Sequence, residues 1–444
     1  MRIKRFGLAV ALGLTGALAL AGCGGASSAG SGGADTAQQS VASASGAGKT
    51  ITVWVMNGDY TADTINAINA EFTKQTGAQV NVQNQDWNGI TTKITTALAT
   101  STPPDVLDLG NTQVASFAAN GGLADLTAYK DDFAQGQTWL GGLVDPATYD
   151  GALYAIPGFA GARAVIYDKT MWANAGVSTP PTTYDELTAD LEKVKAANPA
   201  PDFSAFYLPG QNFYAGMQFV WDAGADIATV ADGKWTSGLS TAQAQQGLQD
   251  WKEFQNEFST PASQTLDTDS PDSKQVFAGG KAGAILGTNG YIANIMTDNP
   301  AMTQDTLGSF ALPGKSGKNQ PVMLGGSDWG IAAKSQNTDL ALQWVKIATS
   351  PEIQKTWVFG NDHWIPNSIE ATKAAAQTVP AVQKGFFDAA LNSKATPASP
   401  NWAQIEGSKL INHLFSDVAS GAKTPEQAAT EYDTAADQIL NATS

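Results

Sequence analysis

From Thr50 onward, the apolar positions switch between two periods. Ile51, Val53 and Val55 fall on every second residue, which predicts a strand, and Asn57-Gly58-Asp59 breaks it. Ile65, Ile68 and Phe72 recur at three and four residues, one face of a helix that Gly77 should stop. Val80 and Val82 continue as a second strand, and Ile90, Ile94 and Leu98 stripe a second helix. Pro103-Pro104 then leads into the apolar run Val106-Leu107-Asp108-Leu109. This β-α-β-α-β order predicts an α/β unit with a mainly parallel sheet. The pattern resumes near Arg163, where Val165-Ile166-Tyr167 is strand-like. Thr183-Tyr184-Asp185-Glu186 fits a capping box ahead of Leu187, Leu191 and Val194. Two α/β lobes with a cleft between them are therefore expected. In open sheets of this kind, ligands sit beyond the carboxyl ends of the strands. That places Asn57, Asp59 and Tyr60 at a cleft edge after the first strand. Asp86 and Trp87 follow the second, and Asn111 to Gln113 the third.

Upstream the chain reads differently. Arg2, Lys4 and Arg5 precede an apolar run from Gly7 to Leu20, too short to span a bilayer comfortably. The lone cysteine, Cys23, follows Leu20-Ala21-Gly22, a segment that resembles the lipobox of bacterial lipoprotein precursors. The resemblance implies a leader over residues 1–22, cut off before Cys23, whose acylated sulfur then anchors the chain to the outer face of the cytoplasmic membrane. Residues 24–49 are nearly all small or polar and predict a flexible linker, residues 23–49, spanning roughly 25–30 Å.

Composition narrows the chemistry. With 444 residues, 43% of them hydrophobic, the chain can build two or three globular units. A formal charge of −16 argues against a sequence-independent nucleic-acid binder, which needs cations to neutralise phosphates. One cysteine and two histidines, His363 and His413, exclude a disulfide framework and a thiol-rich metal centre. The acidic run Asp267 to Asp272 lacks the glycine and terminal glutamate of an EF-hand loop. Gly279-Gly280-Lys281 resembles the end of a phosphate loop, but Gln275 and Ala282 replace its required glycine and hydroxyl residue. Neither metal nor cofactor is expected. Trp54, Trp251, Trp344 and Trp357 read as core, and His363 as a surface imidazole.

A family resemblance covers essentially all of residues 50–444. It is carried in order by ITVWVMNGDY, AEFTKQTGAQVNV, PPDVLDLGNTQVASFAANGGLADLT, YDGALYAIPGFAGARAVIYDKTMWANAGVSTPPTTYDEL, VFAGGKAGAILGTNGY, LPGKSG, GGSDWGIAAKSQNTDLALQWVKIATSPEIQ and GAKTPEQAATEYDTAADQIL. Together these resemble the extracellular solute-binding proteins of carbohydrate ABC importers, the maltose-binding-protein-like family. The resemblance implies a two-lobe clamp, each lobe a mostly parallel sheet flanked by helices. The first lobe would take residues 50–160 and 305–345, the second 161–304 and 346–444. Hinges would lie near Ile156 to Arg163 and around residue 305. It also implies a monomer that holds a neutral di- to tetrasaccharide and hands it to membrane permease subunits, with no nucleic acid and no covalent step.

A neutral sugar presents hydroxyls, which are costly to bury unpaired, and apolar C–H faces, which lie flat on aromatic rings. On the resemblance, Asp59 matches a family carboxylate, and Tyr60 stands where a lysine occurs. Gln113 falls on a family arginine and Leu109 on a tryptophan. Asn212 and Tyr214 match a carboxylate and an aromatic of the second lobe, and Arg163 occupies the crossover. Asn289 and Tyr291 sit in the GTNGY turn. Ser327, Asp328 and Trp329 follow Gly325-Gly326, a pair that permits close backbone approach. Trp364 and Trp402 are the aromatics expected over sugar rings. The rival reading is a secreted glycoside hydrolase or lyase, because the spacing of paired carboxylates is spatial and not legible in sequence. A third is a sensor that presents bound sugar to a membrane kinase.

Overall fold

The first apolar alternation becomes strand β1 (Thr50–Met56), in which Ile51, Val53 and Val55 are at most 2% exposed. Helix α1 (Ala62–Thr76) starts where the Thr61 side chain accepts the Thr64 N–H, and it ends at Gly77, whose φ of 74° is left-handed. Strand β2 (Gln79–Gln85), helix α2 (Ile90–Ala99) and strand β3 (Val106–Gly110) complete the expected unit. β1 runs parallel to both other strands. The computed structural model describes residues 38–442.

Strand β4 (Ala155–Gly161) and strand β5 (Arg163–Asp168) belong to different sheets, so the first passage between lobes is Ala162 alone. The second lobe continues with α3 (Tyr184–Ala197), which begins at the expected capping box of Thr183 and Glu186. It adds α4 (Phe213–Asp222), α5 (Ala242–Phe258), β6 (Ala284–Thr288), α6 (Gly290–Asp298) and β7 (Leu307–Phe310). The chain returns as β8 (Gly325–Ile331), α7 (Thr338–Ala348) and β9 (Ile365–Pro366). Helices α8 (Ala381–Ala390), α9 (Trp402–Gly407), α10 (Leu410–Ser420) and α11 (Pro425–Leu440) close the described chain.

The first-lobe sheet has the order β9-β4-β8-β3-β1-β2, and the second-lobe sheet β6-β5-β7. β8 runs antiparallel between β3 and β4, with a bulge at Ser327/Asp328. The expected parallel pairing is found at β2-β1-β3 and at bridges from Ser204 and Tyr207 to residues 282 and 285. β5 pairs antiparallel with both its neighbours.

Two boundaries differ from expectation. The returning segment does not begin at 305, because β7 hydrogen-bonds to β5 and so belongs to the second lobe; the return starts at Gly325. Nor does it stop at 345. Leu340, Trp344 and Val345 share a core with Ile68 and Phe72, and the Trp344 indole N–H donates to Asn69 of α1 (2.8 Å). β9 then pairs with β4 in the first sheet. An apolar stripe shows that a helix is buried but not against which sheet.

The linker expected through residue 49 is docked from Gln39 onward. The Gln39 N–H donates to the Ala128 carbonyl (2.6 Å), that of Val41 to Asp132 (2.8 Å), that of Ala44 to Gln343 (2.8 Å) and that of Gly46 to the Thr76 carbonyl (2.8 Å). A Cβ at Gly46 would lie 2.7 Å from that of Ala78, so its bare backbone permits the approach. Residues 1–22 and Cys23 lie outside the described residues. Among the described residues, no helix is long and apolar enough to cross a membrane.

A candidate ligand cleft between the lobes

The carboxyl ends of β1 and β3 and the strand crossing at β4–β5 open onto a cleft of about 600 Å³ lined by both lobes. Its first-lobe wall carries Asn57, Asp59, Trp87, Asn111, Gln113, Phe159, Ser327 and Trp364. Its second-lobe wall carries Arg163, Tyr214, Thr288, Asn289 and Glu406.

Asp59 stands just beyond β1 and is 7% exposed, with the Ser327 hydroxyl donating to its carboxylate. Burial pushes its pKa up to about 6, against the opposing hydrogen bonds of Ser327 and Trp87. The Trp364 indole N–H donates to the Asp59 carbonyl (2.6 Å), and its ring stacks on Phe159 at 4.5 Å and 24°. Trp87 is 40% exposed at the rim. Its ring lies over Gly110, where a Cβ would come within 3.3 Å. The Gln113 amide donates to Thr91 (3.2 Å), and that of Asn111 to the Leu324 carbonyl (3.0 Å), tying the end of β3 to the residue that precedes β8.

Beneath this wall is a buried polar layer. Tyr60 stacks on Trp329 (5.1 Å, 26°) and meets Phe159 edge-on (5.3 Å, 89°). Asp108 accepts the Met56 N–H (3.0 Å), while Asp328 is fully buried. Burial drives both carboxyls well above the usual carboxylate range, and the Asp59 charge adds to the shift at Asp108.

Across the cleft, the Arg163 guanidinium lies over the Tyr214 ring, 3.4 Å from its centroid. Burial lowers the Arg163 pKa, and Tyr214 partly offsets that. Glu406 accepts the Trp402 indole N–H (2.7 Å). Burial raises the Glu406 pKa, opposed by Trp402 and by the Arg163 charge. A carboxylate and a guanidinium thus share one wall, giving it both acceptors and donors.

Ten of the expected residues line the cleft: Asn57, Asp59, Trp87, Asn111, Gln113, Arg163, Tyr214, Asn289, Ser327 and Trp364. Seven do not. Tyr60 and Asp328 lie in the polar layer under the wall, and Trp329 is wholly buried against Trp344 at 4.8 Å because it sits two residues further down β8 than Ser327. Trp402 is 2% exposed and holds Glu406 instead of facing the cleft. Asp86 accepts from the Asn57 amide (2.6 Å), so it orients a lining residue. Asn212 caps α4 through the Ala215 N–H (3.2 Å). Tyr291 folds back over Gly287 and under the Lys274 ammonium (4.4 Å). Sequence reasoning missed Phe159, Thr288, Met323 and Glu406. Glu406 had a usable signal, since it lies four residues after Trp402 and hence on the same helix face. Among the described residues, no cluster of His, Cys, Asp or Glu is arranged to hold a metal ion.

Two interleaved α/β lobes with an aromatic- and carboxylate-lined cleft between them define a two-lobe binding clamp. The family model for bacterial extracellular solute-binding protein matches residues 58–355, and the chain belongs to that family, one of binding proteins and not of enzymes. The diacetylchitobiose binding protein DasA of Streptomyces coelicolor is 34% identical over 399 residues, covering 88% of this chain and 90% of its own. Two solved structures share the fold. The sugar-binding protein MalE of Xanthomonas citri superposes with a TM-score of 0.75 at 23% identity, covering 88% of this chain and 97% of that one. The MalE of Listeria monocytogenes in complex with maltose gives 0.74 at 21% identity, with 89% and 99% covered.

Proposed function

We propose that this protein is the substrate-binding lipoprotein of an ABC transporter, capturing a neutral oligosaccharide between its lobes and delivering it to a membrane permease. The observation that carries this reading is the pairing of the Trp364–Phe159 stack with Asp59 on one wall and Arg163 with Glu406 on the other. Flat aromatic rings take the C–H faces of a sugar, and the charged groups accept from and donate to its hydroxyls. With both signs of charge present, neither an anion nor a cation is favoured throughout the cleft. An acetamido sugar heads the candidates, as the name of the Streptomyces coelicolor relative suggests. Its C=O suits Arg163 and its N–H suits Glu406.

In this reading Cys23 carries the lipid, and the chain is docked on the first lobe from Gln39 onward. The protein works as a monomer at the outer face of the cytoplasmic membrane. Its lobes are residues 50–161 with 325–366, and 163–312 with the C-terminal helices; they close on the sugar, and the closed form meets the permease.

The test is thermal unfolding of the protein with diacetylchitobiose, maltotetraose, xylobiose, mannobiose and galactobiose, with product analysis of each sample. A ligand at a thousand times its Kd adds about 4 kcal/mol of stability. A shift with intact sugar supports the reading and identifies the ligand. Stability unchanged across the panel sinks it.

A further inference from the structure

Trp364 is partly exposed and sits at the end of an irregular turn. Gln354–Phe359 is a π-helical turn, and His363 has a left-handed φ of 63°. Such backbone persists only where its surroundings over-determine it. The N–H groups of Asp362, His363 and Trp364 return to the carbonyls of Trp357, Phe359 and Val358 (2.9, 3.2 and 3.0 Å). Those bonds fix the turn's own shape but not its place over the cleft.

One carboxylate oxygen of Asp362 accepts from four donors: the Thr61 hydroxyl (2.7 Å), the Thr64 hydroxyl (2.8 Å), the Asn361 amide (3.0 Å) and the Thr61 backbone N–H (3.4 Å). Asn361 reinforces the contact by donating to the Thr61 hydroxyl (2.7 Å). The negative charge lies at the start of α1, a 15-residue helix, where the unpaired N–H groups and the helix dipole favour it. Thr61 follows Asp59 by two residues, and Trp364 follows Asp362 by two.

We propose that Asp362 is a positioning residue for the ligand site: its carboxylate clasps the Trp364 turn to the start of α1, and so fixes the Trp364 ring against Asp59. Asp362 touches no ligand in this scheme and acts through Trp364. The inference rests on the sugar-binding reading above for its effect on affinity, but not for its effect on geometry. The apolar face of α1, formed by Ile65, Ile68 and Phe72, packs without Asp362, so its loss leaves the fold standing.

The test combines calorimetry, with diacetylchitobiose as the probe, and ligand-free crystal structures. Asp362→Ala should weaken binding about tenfold, in line with coupling between residues that share one network. Asp362→Asn, which keeps an acceptor for the four donors, should stay within about threefold of wild type. In a Trp364→Ala background, Asp362→Ala should cost nothing more, since the residue works through that ring. An equal further loss in that background overturns the proposal. If wild type does not bind the probe, the sugar reading suffers, and the crystal structure of Asp362→Ala alone decides the clasp. Trp364 displaced from the Asp59 carbonyl sustains it; Trp364 unmoved refutes it.

Discussion

The two walls of the cleft are built in different ways. On the first lobe, Asp59 lies just past β1, Ser327 near the start of β8 and Phe159 near the end of β4. Trp364 is fastened to Asp59 by a hydrogen bond and to Phe159 by a stack. On the second lobe, Arg163 rests on a tyrosine face and Glu406 hangs from a buried indole, so two opposite charges are held by single neighbours. The first wall is a preformed plate backed by a buried polar layer. The second is a charged pair poised on aromatic supports. In the binding mode proposed above, the sugar lies on the plate and is gripped by the pair, which would give shape recognition to the first lobe and polar recognition to the second.

The comparison can be broken most sharply at the plate. Trp364→Ala should weaken saccharide binding about 100-fold and lower the melting temperature by a few degrees, because the ring is a partly exposed contact surface that also stacks on Phe159 and bonds the Asp59 carbonyl. Calorimetry paired with a melting curve separates the two; a large fall in melting temperature with affinity unchanged would make Trp364 a core residue and not a binding plate. On the opposite wall, Arg163→Ala should cost about 30-fold, as it removes donors and leaves the partly buried Glu406 without its counter-charge. A loss as large as that of Trp364→Ala would erase the distinction between plate and grip.

Acidity tests the plate differently. With a pKa raised to about 6, Asp59 gains a proton as pH falls through that value. Sugar hydroxyls that donate to the carboxylate favour its ionised form, so affinity should fall several-fold between pH 7 and pH 5. Asp59→Asn should flatten that profile, and a profile unchanged by the substitution would remove Asp59 from the account. For folding the sign reverses. The native state holds the Asp59 proton more tightly than the unfolded chain does, so this group adds stability as pH falls from about 6 toward 4. The smallest effect on affinity is expected from Trp402→Phe, which deletes the N–H that holds Glu406 and also shrinks a buried ring. About a threefold loss of affinity should accompany a clear fall in melting temperature, because the smaller ring leaves a cavity in the core.

Much of the fold was legible because apolar periodicity reports burial directly. The β1-α1-β2-α2-β3 run, the Gly77 stop and the Thr183–Glu186 box appear where the pattern places them. The cleft edge was legible for a related reason: residues just past strand ends have no sheet to enter, and Asn57, Asp59, Trp87 and Gln113 face the cleft. Trp329 and Trp402 show the limit. Both are tryptophans beside polar residues, as Trp364 is, and only the helices packed over them decide that they are core.

The amino-acid sequence alone was enough to place the strands and helices of residues 50–110, the stop of α1 and the start of α3, and to name carboxylates and aromatics available near a cleft. Those properties follow from local periodicity and capping, which act over a few residues. Tertiary structure alone decided the lobe to which β7 and α7 belong, the docking of residues 39–46, and the meeting of Asp362 with Thr61 across 301 positions. Such contacts depend on which buried face finds which partner, a choice made by the packing of the whole core and not by any short stretch of chain.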